Sequence, residues 1–358
     1  GEVVLENTFI PATANQSANK KRVSREAHQY KMPPPAVVYE IQSDFESELS
    51  VALKVVGRAK ATLKTFMTAL TAGESVKLDN VRTAAAELEA CVLRNPDPAM
   101  LLRALRSDEP FSFRHCVHSA VLGIALAREL GFKKQNIHEL AMGTMLADMG
   151  KMKLPKHLLR TTRRLDAKET QIMQQHVPYG VEIAKALDGL TPGTIEIIAS
   201  HHERFNGSGY PSGLRGGEIP MLARVAGLAD SFDAITSERA YSEPIPVYEA
   251  IQEMYAATVD VFQRDMVEAL IQALGAYPVG SLVLLSDGTV AIVVALNRHR
   301  RLLPVVIRLT DADKHPLAEF SRLDLAAGEK APATVKDLLD PGQFGVEQPT
   351  VAILGTQD

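Results

Sequence analysis

Residues 203–220 read ERFNGSGYPSGLRGGEIP, and they interrupt a long run of helical spacing. Five glycines and two prolines fall in these eighteen positions. Glycine weakens a helix by its conformational freedom, and proline removes a donor and clashes with the preceding turn. The stretch must therefore be a long loop. In a compact domain a loop of this length is usually functional or disordered. Any fold for this chain has to be helical on both sides and spend eighteen residues on one irregular excursion.

The rest of the chain reads as pieces around that domain. At 358 residues it is too long for one ordinary domain. Residues 1–36 are polar and aperiodic, end in three prolines and read as a flexible linker. Residues 37–110 read as an N-terminal helical segment: one helix from about 36 to 71, then a helical pair over 75–104 turning at Asn-Pro-Asp-Pro. The first of these helices either packs on the main domain or pairs with a second copy to make a homodimer. Residues 111–276 carry helices near 113–130, 135–149, 167–186, 191–202, 221–235, 246–255 and 263–274. From 277 to 328 the pattern changes to apolar runs around Ser-Asp-Gly, the mark of a hairpin, and a small β extension is expected. Residues 329–358 read as an irregular tail. The fold class is mainly α.

Several functions are disfavoured at once. A net charge of −4 gives no general attraction to a nucleic acid polymer or an anionic membrane. No apolar run nears the roughly 20 residues that cross a bilayer. Cys91 and Cys116 are the only cysteines, too few for a disulfide framework, so a reducing cytoplasm is the simplest setting. The first residue is Gly rather than Met, which suggests a fragment or a tag scar.

The chemistry lies in histidines and aspartates on the apolar sides of these helices. His115 and His118 share a helix face. Asp148 interrupts Met-Leu-Ala-Asp-Met-Gly-Lys. His176, the His201–His202 pair and Asp230 follow. Any one of them could be a hydrogen-bonded core residue, but so many buried polar groups would be costly unless they paired or bound something. Imidazole with carboxylate suits Fe, Mn or Zn. Two such cations bridged by a carboxylate can bind a phosphate, activate a water and steady both oxygens of a displacement. His28, His138, His157, His299 and His315 stand apart and read as structural or solvent-facing.

HHERFNGSGYPSGLRGGEIP followed by ARVAGLADSFDAITSERAY resembles the HD-GYP family, a branch of the HD phosphohydrolase superfamily that degrades cyclic di-GMP. The resemblance covers about residues 111–276 and implies an HD-type helical bundle holding two divalent ions, Fe or Mn. By position its metal ligands are His115, Asp148, His176, His201, His202 and Asp230, with Asp148 bridging. The histidine that normally precedes the aspartate is Ala147 here, so one metal is a ligand short. A third-metal glutamate is replaced by Phe111. His118 is not a family ligand; it packs nearby or stands in for the missing one. Cys116 is expected on another face, as a buried small residue. Lys151 is implied as a catalytic and phosphate-binding cation. Gly207, Gly209 and Pro211 let the loop backbone approach a ligand, and Tyr210 offers a ring to guanine. Arg239 and Tyr241 are further substrate contacts, and Arg204 is either a contact or a brace for the loop. The resemblance implies cleavage of cyclic di-GMP to pGpG and onward to GMP, with the loop as a contact for diguanylate cyclase domains. The alternative is a degenerate module that senses cyclic di-GMP or docks a protein.

Overall fold

The computed structural model describes residues 35–106, 111–237, 244–256, 261–328 and 331–351. The described chain is mainly helical and closes with one small antiparallel sheet.

Helix α1 (Phe45–Thr71) is capped by Asp44, whose carboxylate accepts from the Ser47 amide at 2.9 Å. Its buried stripe of Ala52, Val55, Ala59, Leu63 and Phe66 follows helical spacing and joins the main core. The packing alternative for this segment thus has direct support. Helix α2 (Asp79–Arg94) and helix α3 (Pro96–Ala104) are separated by Asn95, which caps α3 through the Asp97 amide at 3.1 Å, with Pro96 in the first turn.

Helix α4 (Phe111–Glu129) is the axis of the bundle. Val117, Ala120, Val121, Leu122, Ile124 and Leu126 are buried on all its sides. Helix α5 (Lys134–Leu146) packs on it and stops three residues short of the expected end. The chain then passes through Asp148 (φ −92°, ψ 4°) into a tight turn at Met149–Lys153. Gly150 lets this turn lie against the helix at His176–Ala186. A Cβ there would stand 1.9 Å from the His176 carbonyl oxygen and 2.4 Å from the Gly180 amide nitrogen, so two backbones meet where only glycine fits.

The single helix expected at 167–186 is two. After α6 (Lys156–Leu159), α7 (Ala167–Gln174) opens on a capping box of Asp166 and Glu169, and α8 (His176–Ala186) starts afresh. Pro178 explains the break: inside a continuous helix its ring would strike the carbonyl one turn back, whereas in a first turn it costs nothing. Helix α9 (Pro192–Ser200) leads to the histidine pair. Helix α10 (Met221–Thr236) returns from the loop and is buried along almost its whole length, and α11 (Val247–Ala256) and α12 (Arg264–Leu274) close the bundle.

Strands β1 (Leu282–Leu285), β2 (Val290–Ala295), β3 (Val305–Thr310), β4 (Pro316–Asp324) and β5 (Val335–Leu339) form a sheet of order β4-β3-β2-β1-β5. The fifth strand comes from the segment expected to be an irregular tail. It pairs with β1 in the register Val283↔Leu338, which covers an edge that would otherwise be open. Ile292 and Val294 face the helical core, while Ala291 and Val293 face a second cluster with Val283, Leu285 and Val306. Asp97 at the start of α3 accepts from the Leu296 amide and from Arg298, each at 2.9 Å, and so ties the sheet to the bundle.

Candidate metal and phosphate site

Three chain breaks deliver the ligands. Asp148 sits where α5 ends, His176 begins α8, and His201 and His202 follow α9. One ligand atom from each of these four lies within 4.8 Å of the others. The ring centroids of His201 and His202 are 4.1 Å apart, and those of His176 and His202 are 5.0 Å apart. The His176 Nε2 stands 3.5 Å from Asp148 Oδ1.

The tautomers fit a cation. His176 Nδ1 donates to the Met173 carbonyl at 2.8 Å, and His201 Nδ1 donates to the Ile198 carbonyl at 3.0 Å. Each backbone oxygen can only accept, so the lone pair is left on Nε2, and those two Nε2 atoms are buried without a hydrogen-bond partner. An orphaned buried acceptor is costly, and a metal ion satisfies it. Burial pushes His176 down to about 4, against Asp148, and pushes His201 and His202 below the ordinary histidine value, so all three favour the neutral, ligating form. Three imidazoles and a carboxylate suit Fe, Mn or Zn.

Lys151, one turn beyond Asp148, places Nζ 2.6 Å from Asp148 Oδ2. Burial opposes the charge on Asp148, but Lys151 and His176 outweigh it and hold the carboxyl well below its usual range. Burial likewise opposes the Lys151 charge, and Asp148 more than offsets it. The pair keeps a cation beside the cluster, with the Lys151 side chain partly open to solvent.

The second expected ligand pair faces inward on itself. His115 Nε2 is 2.8 Å from Asp230 Oδ1, and its Nδ1 is 2.8 Å from Asp233 Oδ2. Against the cost of burial, the two carboxylates raise His115 to about 9. Asp230 is held low despite burial, chiefly by its bond to His115. Ala147 is buried and brings no donor atom. His118 sits beside Asp233. Its Nδ1 is 4.0 Å from Asp233 Oδ1, and burial pushes it down to about 3. Cys116 departs from expectation: its Sγ stands 3.9 Å from Asp148 Oδ2, toward the site rather than away from it.

The loop over 203–220 is fastened to the histidine pair. The Glu203 carboxylate accepts from the Ser212 amide at 2.7 Å and the Leu214 amide at 3.0 Å. The Tyr210 amide donates to the His202 carbonyl at 3.2 Å, and its ring stacks on His202 with centroids 4.6 Å apart. A Cβ on Gly209 would stand 2.4 Å from both the Arg204 nitrogen and the His202 oxygen, so the crossing needs glycine. Arg204 turns inward, donating to the carbonyls of His201 and Glu203 and to Ser231 Oγ at 3.0–3.2 Å, the bonds of a brace. Arg239, Tyr241 and the side chain of Phe111 lie outside the described residues.

Sequence reasoning passed over Glu203, Asp233 and Arg103. Asp233 had a signal, since it lies one helical turn after Asp230 on the same face of Asp-Ser-Phe-Asp. Glu203 directly follows the histidine pair. Arg103, more than a hundred positions away, had none.

Comparison with known proteins agrees with this geometry. Residues 99–262 match the model of the HD domain family. The chain is 31% identical over 256 residues to the Pseudomonas aeruginosa protein named cyclic di-GMP phosphodiesterase PA4108, covering 72% of this chain and 61% of that one. It is 34% identical over 160 residues to a Thermotoga maritima protein named cyclic di-GMP phosphodiesterase, covering 44% of each. It is 36% identical over 148 residues to 3'3'-cGAMP-specific phosphodiesterase 2 of Vibrio cholerae, covering 41% of this chain and 28% of that one. The matches thus span between about a quarter and three fifths of these relatives' own lengths. With an HD domain over 99–262, a four-residue cluster in it that could hold a metal and a Gly-Tyr-Pro loop at 209–211 stacked on that cluster, the chain carries an HD domain of the HD-GYP type.

Proposed function

We propose that the chain is a metal-dependent phosphodiesterase that opens cyclic di-GMP to the linear pGpG and carries it onward to GMP. The observation that carries the reading is the pair of buried, unpartnered Nε2 atoms on His176 and His201, aimed at the cluster they share with Asp148 and His202. These four residues would hold one Fe or Mn ion. Asp148, as the bridge, with His115 and Asp230 would serve a second ion, short of the ligand that Ala147 cannot supply. Bound there, the ions would supply Lewis acidity and a water acidified to near neutral pH. Lys151 Nζ binds a non-bridging phosphate oxygen and orients the diester. The Tyr210 ring, fixed against His202, and the backbone around Gly209 form the wall beside which a guanine lies. The choice of cyclic di-GMP among cyclic dinucleotides is supported by the name of the Pseudomonas aeruginosa relative matched over 256 residues, while the cGAMP-specific relatives mark the neighbouring substrate. Pro211, Ser212, Arg215 and Gly217 are exposed, which suits this loop as a contact for diguanylate cyclase domains.

A second reading, a module that binds cyclic di-GMP without cutting it, is favoured by Ala147 and by the bond between His115 and Asp230, which spends the second metal's ligands on each other. Turnover separates the two. Protein loaded anaerobically with Fe or Mn is incubated with cyclic di-GMP and with 3'3'-cGAMP, and the products are resolved by chromatography. Linear pGpG supports the enzyme. Uncut but bound cyclic di-GMP supports the sensor.

A further inference from the structure

We propose, resting on the metal reading above, that Arg103 is a positioning residue for the ligand His115, acting through Asp233, and that the C-terminal sheet holds Arg103 in place. The chain of contacts is continuous and buried. His115 Nδ1 donates to Asp233 Oδ2 at 2.8 Å, and Arg103 donates to Asp233 Oδ1 at 3.2 Å. The three side chains are 6%, 0% and 3% exposed for His115, Asp233 and Arg103. Burying a carboxylate and a guanidinium costs several kcal/mol that apolar residues of similar volume would not. Packing alone therefore does not account for the pair.

What the pair does is fix an imidazole. With Asp233 taking the Nδ1 proton, Nε2 is the nitrogen turned to Asp230 Oδ1, 2.8 Å away, and a cation on this side would take the place of the proton in that contact; the ring plane is set by the Asp233 bond. A carboxylate behind a ligating histidine orients the ring and raises its basicity. Asp233 in turn would be free to swing without Arg103, which also donates to Thr236 Oγ1 at 3.3 Å and lies 5.6 Å from the Phe232 ring. The turn of α10 from Asp230 to Asp233 is thereby held from both sides, by His115 and by Arg103.

Arg103 belongs to α3, which supplies no ligand of its own. This helix is gripped at both ends by the sheet region. Asp97 at its start takes the Leu296 amide and Arg298, each at 2.9 Å. At its end, Gln348 Nε2 donates to the Ala104 carbonyl at 3.1 Å and to the Gly280 carbonyl at 2.9 Å, and the Arg106 amide donates to the Pro349 carbonyl at 3.0 Å. A short helix clamped this way presents its arginine at a fixed depth. The β extension, which offers no chemistry of its own, thus acquires a role at a distance from the site.

The test is metal binding, measured apart from turnover, on the full chain stripped of metal and titrated with Mn²⁺ by calorimetry and with Co²⁺ by its visible spectrum. Arg103→Met is expected to weaken affinity about 10- to 100-fold at the His115 side and to change the Co²⁺ bands, the range seen when outer partners of metal ligands are removed. Arg103→Lys should recover part of the loss. Arg298→Met, at the sheet surface, should shift affinity in the same direction by a smaller factor, and it carries the test if the core variant does not fold. A purely structural pair would lower the melting temperature of the stripped protein and leave the affinity and the spectrum of the folded fraction at wild-type values. That result overturns the proposal. A wild-type chain that takes up neither Mn²⁺ nor Co²⁺ overturns the metal reading itself, and with it this one.

Discussion

Replacing Gly150 with alanine adds one methyl group and should disarm the site. The ideal Cβ lies 1.9 Å from the His176 carbonyl oxygen, 2.9 Å from its carbonyl carbon and 2.4 Å from the Gly180 nitrogen. A carbon rests about 3.3 Å from such an oxygen at closest. The two backbones must therefore part by about 1.4 Å, the difference between 3.3 and 1.9. All three obstructing atoms are main chain, so no side chain can swing aside. If α8 yields, it carries His176. If the turn at Met149–Lys153 yields, it carries Lys151 and pulls on Asp148. Either way the 3.5 Å gap between His176 Nε2 and Asp148 Oδ1 is disturbed by about as much as the backbones move. Ligand distances in a metal site tolerate only about 0.2 Å. Overpacking of this kind costs about 1–3 kcal/mol. Elemental analysis of purified Gly150→Ala protein should find metal near background, turnover should fall with it, and the chain should stay folded with a lowered melting point. A Gly150→Ala protein with wild-type metal content and activity refutes the geometry described for this junction.

Glu203→Ala removes the acceptor of two loop amides, each bond to a charged group being worth about 1.5–3 kcal/mol; hydrogen exchange and limited proteolysis should show residues 208–216 loosened, and KM for the dinucleotide should rise more than metal content falls. Ala147→His restores an imidazole beside Asp148. It should raise the metal stoichiometry and give a modest gain in turnover; a chain that becomes active only with this change would be the degenerate module. The metal-stripped protein should be most stable near pH 6.5. Below that, His176 at about 4 and His118 at about 3 resist the proton that an unfolded imidazole takes up, so stability drops by about 1.4 kcal/mol per pH unit for each. Above it, the favourable charge on His115 is fully present only below the unfolded value and is lost as pH rises through about 9. Urea titrations in chelator across pH 5–9 would read this as a peak, and a flat profile would contradict the burial and pairing of these rings.

The ligand cluster was legible because its residues sit in short motifs: a histidine pair ahead of a glycine-rich loop and an aspartate at a helix end. Their convergence was an inference from the cost of buried polarity. The helix break before His176 was hidden because the apolar spacing runs through it, and Pro178 was the local sign that a second helix starts there. Asp233 and Arg103 were not legible as a pair, since 130 positions separate them and they meet because α3 and α10 both pack on α4. Cys116 was misaimed for a related reason. Residues adjacent on a helix differ by about 100°, yet His115 and Cys116 both border the site, because Asp148 stands beside α4 rather than in line with His115. The fifth strand was missed because Val-Lys-Asp-Leu-Leu is an edge strand whose sequence alternates poorly, and its partner β1 supplies the order.

The most direct measurement is the Fe and Mn content of anaerobically purified protein, paired with a cyclic di-GMP turnover assay on the same sample. The account predicts two ions per chain, the one on the His115 side held more weakly, and conversion to linear pGpG. A protein that holds neither metal after loading and leaves cyclic di-GMP intact would contradict it.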